Sequence, residues 1–142
     1  MLPLSDLTIV FKKSNDFLRC SLLIHALALF VLYYSGLPVY WFIGALVFFY
    51  WPLKAIMINR RPHPQIHGLS YHRQHWLLHT TSGETLNYQS MQIKLDTGFF
   101  LLISLCGLKR TKSMIIFHDQ LTRDECRMLH VIERVTSETI SY

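Results

Sequence analysis

Cys20–Leu37 reads CSLLIHALALFVLYYSGL and Pro38–Leu53 reads PVYWFIGALVFFYWPL, and neither stretch holds a residue of fixed charge. Apolar character continues past Lys54 through Ile58. An α-helix of about 18 residues spans roughly 27 Å, close to the roughly 30 Å hydrocarbon core of a bilayer. Ser35-Gly36-Leu37-Pro38 is a turn signal between the two runs. Tyr33, Tyr34, Tyr40 and Trp41 cluster around that turn, and Tyr50 and Trp51 stand at the far end of the second run. These are the positions of two interfacial aromatic belts. The expectation is a transmembrane helical hairpin over residues 19–58. Pro52 is expected to bend its second helix without ending it. A polar segment precedes the first run and no A-x-A-like site follows it, so a cleaved signal peptide fits poorly.

Outward from the hairpin, the charge is uneven. The 142-residue chain carries a net +5. Residues 1–61 hold six Lys/Arg against two Asp/Glu, and residues 62–142 hold eight against seven. Lys12, Lys13 and Arg19 precede the first helix, Lys54, Arg60 and Arg61 follow the second, and the turn is uncharged. Basic flanks face the cytoplasm, so both termini are expected there, in a multi-pass membrane protein. Charge placed this way points to anionic lipid and not to nucleic acid. Half of the residues are hydrophobic and only 16% charged, which excludes a disordered or collagen-like chain.

Residues 1–18 are expected to form a cytoplasmic segment with a strand over Leu4–Phe11, able to add to the edge of a sheet. Arg60-Arg61-Pro62-His63-Pro64 is a stiff link. Over 59–142 the period changes. Residues 66–71, 74–80, 85–89, 91–97, 99–105 and 112–118 are short β-prone runs separated by turn material. They suggest one antiparallel meander of about five strands, with the apolar Phe99–Leu105 at its centre. Clean alternation from Ser90 to Leu95 implies one buried face. Thr122 and Glu125 form a capping box for a terminal helix. Leu121, Met128, Val131, Ile132 and Val135 are the face expected to cover the sheet. The fold class is therefore α+β: a helical hairpin plus a small antiparallel β-meander closed by a C-terminal helix.

Few residues point to chemistry. His63, His67, His72, His75 and His79 are dense enough to suggest zinc or copper. On a strand, however, His75 and His79 stand about 13 Å apart, too far to share one ion. Solvated or headgroup-facing histidines are the better reading, and no metal or cofactor is expected. Cys20, Cys106 and Cys126 lack CxxC spacing and read as small hydrophobes. His25 lies about 9 Å into the first helix and is an intramembrane polar residue, with Tyr50 as its expected partner. Glu84 and Asp96 stand alone in the sheet region, and no GxSxG, HExxH or phosphate-binding glycine loop is present. The chain reads as a binding protein and not as an enzyme. Its partner-binding candidates are Arg123, Arg127, His130 and Arg134, which lie within about 60° of one another on a helical wheel.

The whole chain resembles the YgfX/CptA family of small bacterial inner-membrane proteins. The likeness rests on Ser5-Asp6-Leu7 before a β-like segment and on Ser21-Leu22-Leu23-Ile24-His25 opening the first helix. Gly98 before an apolar strand, and Asp119, Leu121, Glu125, Arg127 and Leu129 at the helical end, complete it. The histidine-rich segment departs from that pattern, as do Cys126 and His130, where an aromatic and a second arginine are more typical. The resemblance implies the membrane-bound toxin of a toxin–antitoxin pair, blocking assembly of the cytoskeletal proteins FtsZ and MreB and hence cell division. It equally implies a membrane adaptor for a small SdhE-like protein, a factor for flavin attachment in succinate dehydrogenase assembly. A third reading, by fold analogy alone, is a PH-like membrane-anchored module, for which the expected strand count is one or two short.

Overall fold

The computed structural model describes residues 6–140. They fall into two compact units: Lys13–Arg61 is one, and the residues on either side of it form the other.

The first unit is a pair of helices, α1 (Asn15–Tyr34) and α2 (Val39–Asn59). Ser14 caps α1, its hydroxyl accepting the Phe17 N–H at 2.9 Å. Gly36, at φ +68°, supplies the left-handed turn between the helices. α2 runs through Pro52 and ends at Arg60, itself left-handed (φ 48°). The Ser14 N–H donates to the Arg60 carbonyl at 2.7 Å and ties the open ends of the pair together. Both helices are long and apolar enough to cross a membrane, and α2 buries none of its residues in protein.

The second unit holds seven strands in two antiparallel sheets. One has the order β1-β2-β3-β4, made of Leu7–Val10, Ile66–His72, His75–Thr80 and Thr85–Tyr88. The other is β5-β6-β7, made of Ser90–Asp96, Phe100–Cys106 and Thr111–Phe117. The amino-terminal strand pairs with β2 as its alternation suggests (Leu7 opposite Tyr71, Val10 opposite Gly68), while Leu4 and Ser5 lie outside the described residues. The expected single meander is in fact two sheets. A bend at Gln89 redirects the chain between β4 and β5, so the apolar sides of both sheets meet. Ile9, Leu69, Leu78, Leu101, Ile103 and Leu105 form that core with no exposed surface.

Helix α3 (Arg123–Ile140) follows a 3₁₀ turn at His118–Gln120 and packs against β5 and β1. The capping box is present: Thr122 N–H donates to Glu125 at 2.7 Å, and Glu125 N–H to the Thr122 hydroxyl at 3.3 Å. Its buried face differs from the expected one. Leu129 and Ile132 are buried, with Met128 and Leu121 partly so, while Val131 and Val135 are exposed. A second correction concerns β5. A bulge between Ile93 and Leu95 breaks the alternation, so Met91 faces the core and Leu95 is left 48% exposed.

The open edge of β7 is closed by side chains. On β7, the Ile115 N–H donates to His63 Nε2 (3.2 Å) and the Phe117 N–H to the buried Gln120 Oε1 (3.1 Å). The Gln120 amide in turn donates to the Lys12 carbonyl at 2.8 Å.

Candidate functional site

Because Leu129 and Ile132 turn inward, the opposite side of α3 faces out and carries Arg123, Arg127 and Arg134 exposed, with His130 half-buried. The sequence-predicted quartet is therefore brought together on one surface. With Leu121, Val131 and Val135 it lines an open groove of about 670 Å³. Among the described residues, none of the three arginines has an ion-pair partner. An unpaired guanidinium presents a fixed fork of donors suited to carboxylate or phosphate. The two exposed valines beside it add apolar area.

Two of the groove's lining residues, His118 and His130, are joined by a carboxylate whose role the sequence hides. Asp96, at the end of β5, accepts the Gly98 N–H at 2.9 Å and His118 Nε2 at 3.1 Å, and its other oxygen lies 3.2 Å from His130 Nε2. The Gly98 N–H is the main cause holding the Asp96 carboxyl below the usual carboxylate range. Burial opposes it, and the hydrogen bond and charge of His118 and the charge of His130 add to it. His130 Nδ1 sits 2.9 Å from the Cys126 carbonyl. A neutral imidazole has one N–H, and His130 turns both nitrogens toward acceptors. Both contacts are hydrogen bonds only when the ring is an imidazolium. Asp96 thus joins β5, the 3₁₀ turn and α3 through two histidines. Nothing in the spacing of residues 96, 118 and 130 announces this, since two chain reversals separate them.

Cys126 Sγ lies 3.8 Å from His118 Nδ1. Burial, and then the nearby Asp96, push its thiol up, opposite to what an activated nucleophile needs.

The histidine-rich segment is spread through the fold. His72 Nδ1 meets Asp6 at 2.6 Å, His79 Nε2 meets the Ser70 hydroxyl at 2.7 Å, and His63 closes the β7 edge. Burial, with Lys112 adding, holds the His63 pKa below the ordinary histidine value, which keeps Nε2 free to accept. Among the described residues no three His, Cys, Asp or Glu side chains are placed to hold a metal ion. In the helical unit, His25 Nδ1 turns to the Ser21 carbonyl (2.6 Å) and its ring meets Phe49 edge-on at 5.6 Å. Tyr50, its expected partner, is 64% exposed and the two are not brought together.

No family model, no curated protein and no solved structure matches the chain.

Proposed function

We propose that this chain is a membrane-anchored binding module, not an enzyme. In this reading α1 and α2 cross a bacterial inner membrane, both termini are cytoplasmic, and the basic groove on α3 docks an acidic protein segment. The observation that carries it is the set of three exposed arginines without partners beside exposed valines. Three guanidiniums without ion-pair partners along a groove steer an opposite charge, and the apolar side wall gives it somewhere to bury carbon. The basic flanks of the helices support the orientation. Resemblance to the YgfX/CptA family supplies candidate partners: the cytoskeletal proteins FtsZ and MreB, or a small SdhE-like protein.

The experiment is capture of each candidate by the detergent-solubilised full chain, against the triple variant Arg123→Gln, Arg127→Gln, Arg134→Gln. Glutamine keeps helix propensity and leaves Leu129 and Ile132 untouched. Binding by the native chain that weakens with salt and is lost in the variant supports the reading. Equal binding by a folded variant places docking elsewhere.

A second reading, a PH-like module, is favoured by the strand count. Seven strands in sheets of four and three, closed by a terminal helix, remove the shortfall expected from sequence. It predicts that vesicles of anionic lipid, and not a protein, compete for the same arginines.

A further inference from the structure

Three chain reversals gather at the end of the sheet unit away from the Asp96 clamp. Register sets Trp76 opposite Tyr88 and Ser90 opposite Cys106. The β2–β3 turn at Arg73–Gln74, the bend at Gln89 and the β6–β7 turn at Gly107–Arg110 therefore share that end. The Gln89 N–H donates to the Cys106 carbonyl at 2.9 Å and ties the bend to β6. Gly107 lets the β6–β7 turn close on the first sheet. A Cβ there would lie 3.3 Å from Tyr88 Cδ1 and 3.4 Å from the Asn87 carbonyl oxygen. The length of β5 separates this end from Asp96, roughly 20 Å at about 3.3 Å per residue.

A pocket of about 370 Å³ lies among these reversals, within the size range of small-ligand sites. Leu86, Tyr88 and Leu108 give it apolar lining. Leu108 is 87% exposed, an apolar side chain with no protein to cover it. Tyr88 is 3% exposed, and its hydroxyl has no hydrogen-bond partner among the described residues. His75, Lys109 and Arg110 supply the basic lining. Among the described residues neither Lys109 nor Arg110 has an ion-pair partner. No carboxylate lines the pocket, and Asp6, before β1 at this end, is taken up by His72 Nδ1 at 2.6 Å.

We infer that this pocket binds a small organic carboxylate that carries an apolar group. An unpaired guanidinium and an unpaired ammonium supply the donors for one carboxylate, and Leu86, Tyr88 and Leu108 cover its carbon. A phosphate ester fits less well. Phosphates are cradled by backbone N–H groups, and the Gly107 N–H already donates to the Arg110 carbonyl at 2.9 Å. The site shares no residue with the α3 groove and lies wholly within the sheet unit.

The test titrates phenylacetate into the full chain in phosphatidylcholine nanodiscs, followed by leucine methyl and backbone amide resonances. The expected result is saturable shifts at Leu86, Gly107 and Leu108, and Val131 reports separately on the α3 groove. Lys109→Gln with Arg110→Gln should weaken binding at Leu108 roughly fivefold, the scale of a partly exposed charge contact, with the core Leu101 and Leu105 methyls unmoved. Phenylacetamide, the uncharged isostere, should bind weaker by a similar factor, and acetate, which lacks the ring, should not saturate the same shifts. Equal binding of phenylacetate and phenylacetamide overturns the anion site. Acetate binding as tightly as phenylacetate overturns the apolar lining's part in it. Phenyl phosphate bound more than about fivefold tighter than phenylacetate overturns the carboxylate assignment. Shifts at Leu108 that track protein concentration without any probe mark a second copy on the pocket and overturn the proposal, as does the absence of any saturable shift at Leu86 and Leu108. The comparison of ligands uses the native chain, so misfolding of the double variant would not spare the proposal.

Discussion

The helical pair and the sheet unit use the same kinds of apolar residue and treat them in opposite ways. In the sheet unit Leu69, Leu101 and Leu105 lose all contact with solvent, whereas in α2 Phe48 and Trp51 stand 76% and 82% exposed. The difference is one of partners. Strands alternate, so half of their side chains meet another layer of protein. α2 is apolar all round and has one neighbour to cover one face. Two helices cannot bury each other's outer faces, so the pair leaves apolar surface to be covered from outside, whereas the sheet unit covers its own.

Breaking the core should therefore damage only one of the two. Leu101→Ala is expected to destabilise the sheet unit by about 2–5 kcal/mol. Phe48→Ala should leave that unit within about 0.5 kcal/mol of native. Amide exchange across β6 in the detergent-solubilised chain measures both, and similar losses would contradict separate cores. Glycines sharpen the same contrast. A Cβ at Gly68 would lie 2.5 Å from the Ile9 carbonyl oxygen, and one at Gly44 meets nothing within 4 Å. Gly68→Ala should thus push β1 off β2, at about 1–3 kcal/mol, and expose the Leu7 and Ile9 amides. Gly44→Ala should be neutral or stabilise α2 by up to about 1 kcal/mol. Intact protection of Ile9 in the Gly68 variant would show that β1 can shift without losing its pairing.

What the sequence reveals follows the same division. Local signals are legible: the two apolar helices, the Thr122–Glu125 box, the β-prone runs and the shared side of Arg123, Arg127, His130 and Arg134 all appear where the pattern places them. What depends on a distant partner is not. The face of α3 is chosen by its packing on β5 and β1, with Glu133 accepting the Ile93 N–H of β5 at 3.4 Å, so Leu129 is buried and Val135 is not. The bulge that turns Leu95 outward is a property of its pairing with β6. Asp96 looks solitary in sequence because its two histidines arrive from beyond β6 and β7. The groove's cations were visible and the clamp joining two of its lining residues was not.

The β2–β3 turn offers a smaller test confined to the sheet unit. Arg73 (φ 46°) and Gln74 (φ 67°) both occupy the left-handed region, the backbone of a two-residue I′ hairpin that favours Asn-Gly. The pair Arg73→Asn, Gln74→Gly should relieve that strain and raise stability by about 1–2 kcal/mol, read as a later denaturation midpoint of the sheet unit with no change in α1 or α2. No gain would mean that these side chains make compensating contacts.

The smallest expected effect is a pH dependence at the β7 edge. His63 must be neutral for Nε2 to accept the Ile115 N–H, and its pKa is lowered by burial first and by Lys112 second. A histidine depressed in the folded state binds fewer protons than the unfolded chain does. Its contribution is therefore complete above the ordinary value of 6.5 and is lost as pH falls through the lower folded value. The Ile115 amide should lose protection, relative to its intrinsic exchange, as pH drops below that value, while Leu101 in the core stays protected. In the His63→Gln variant the side-chain carbonyl accepts without titrating, so protection of Ile115 should become flat with pH. A pH response that persists in that variant would move its origin to the Asp96 clamp, whose carboxyl is lowered and whose contribution fails only at more acidic pH.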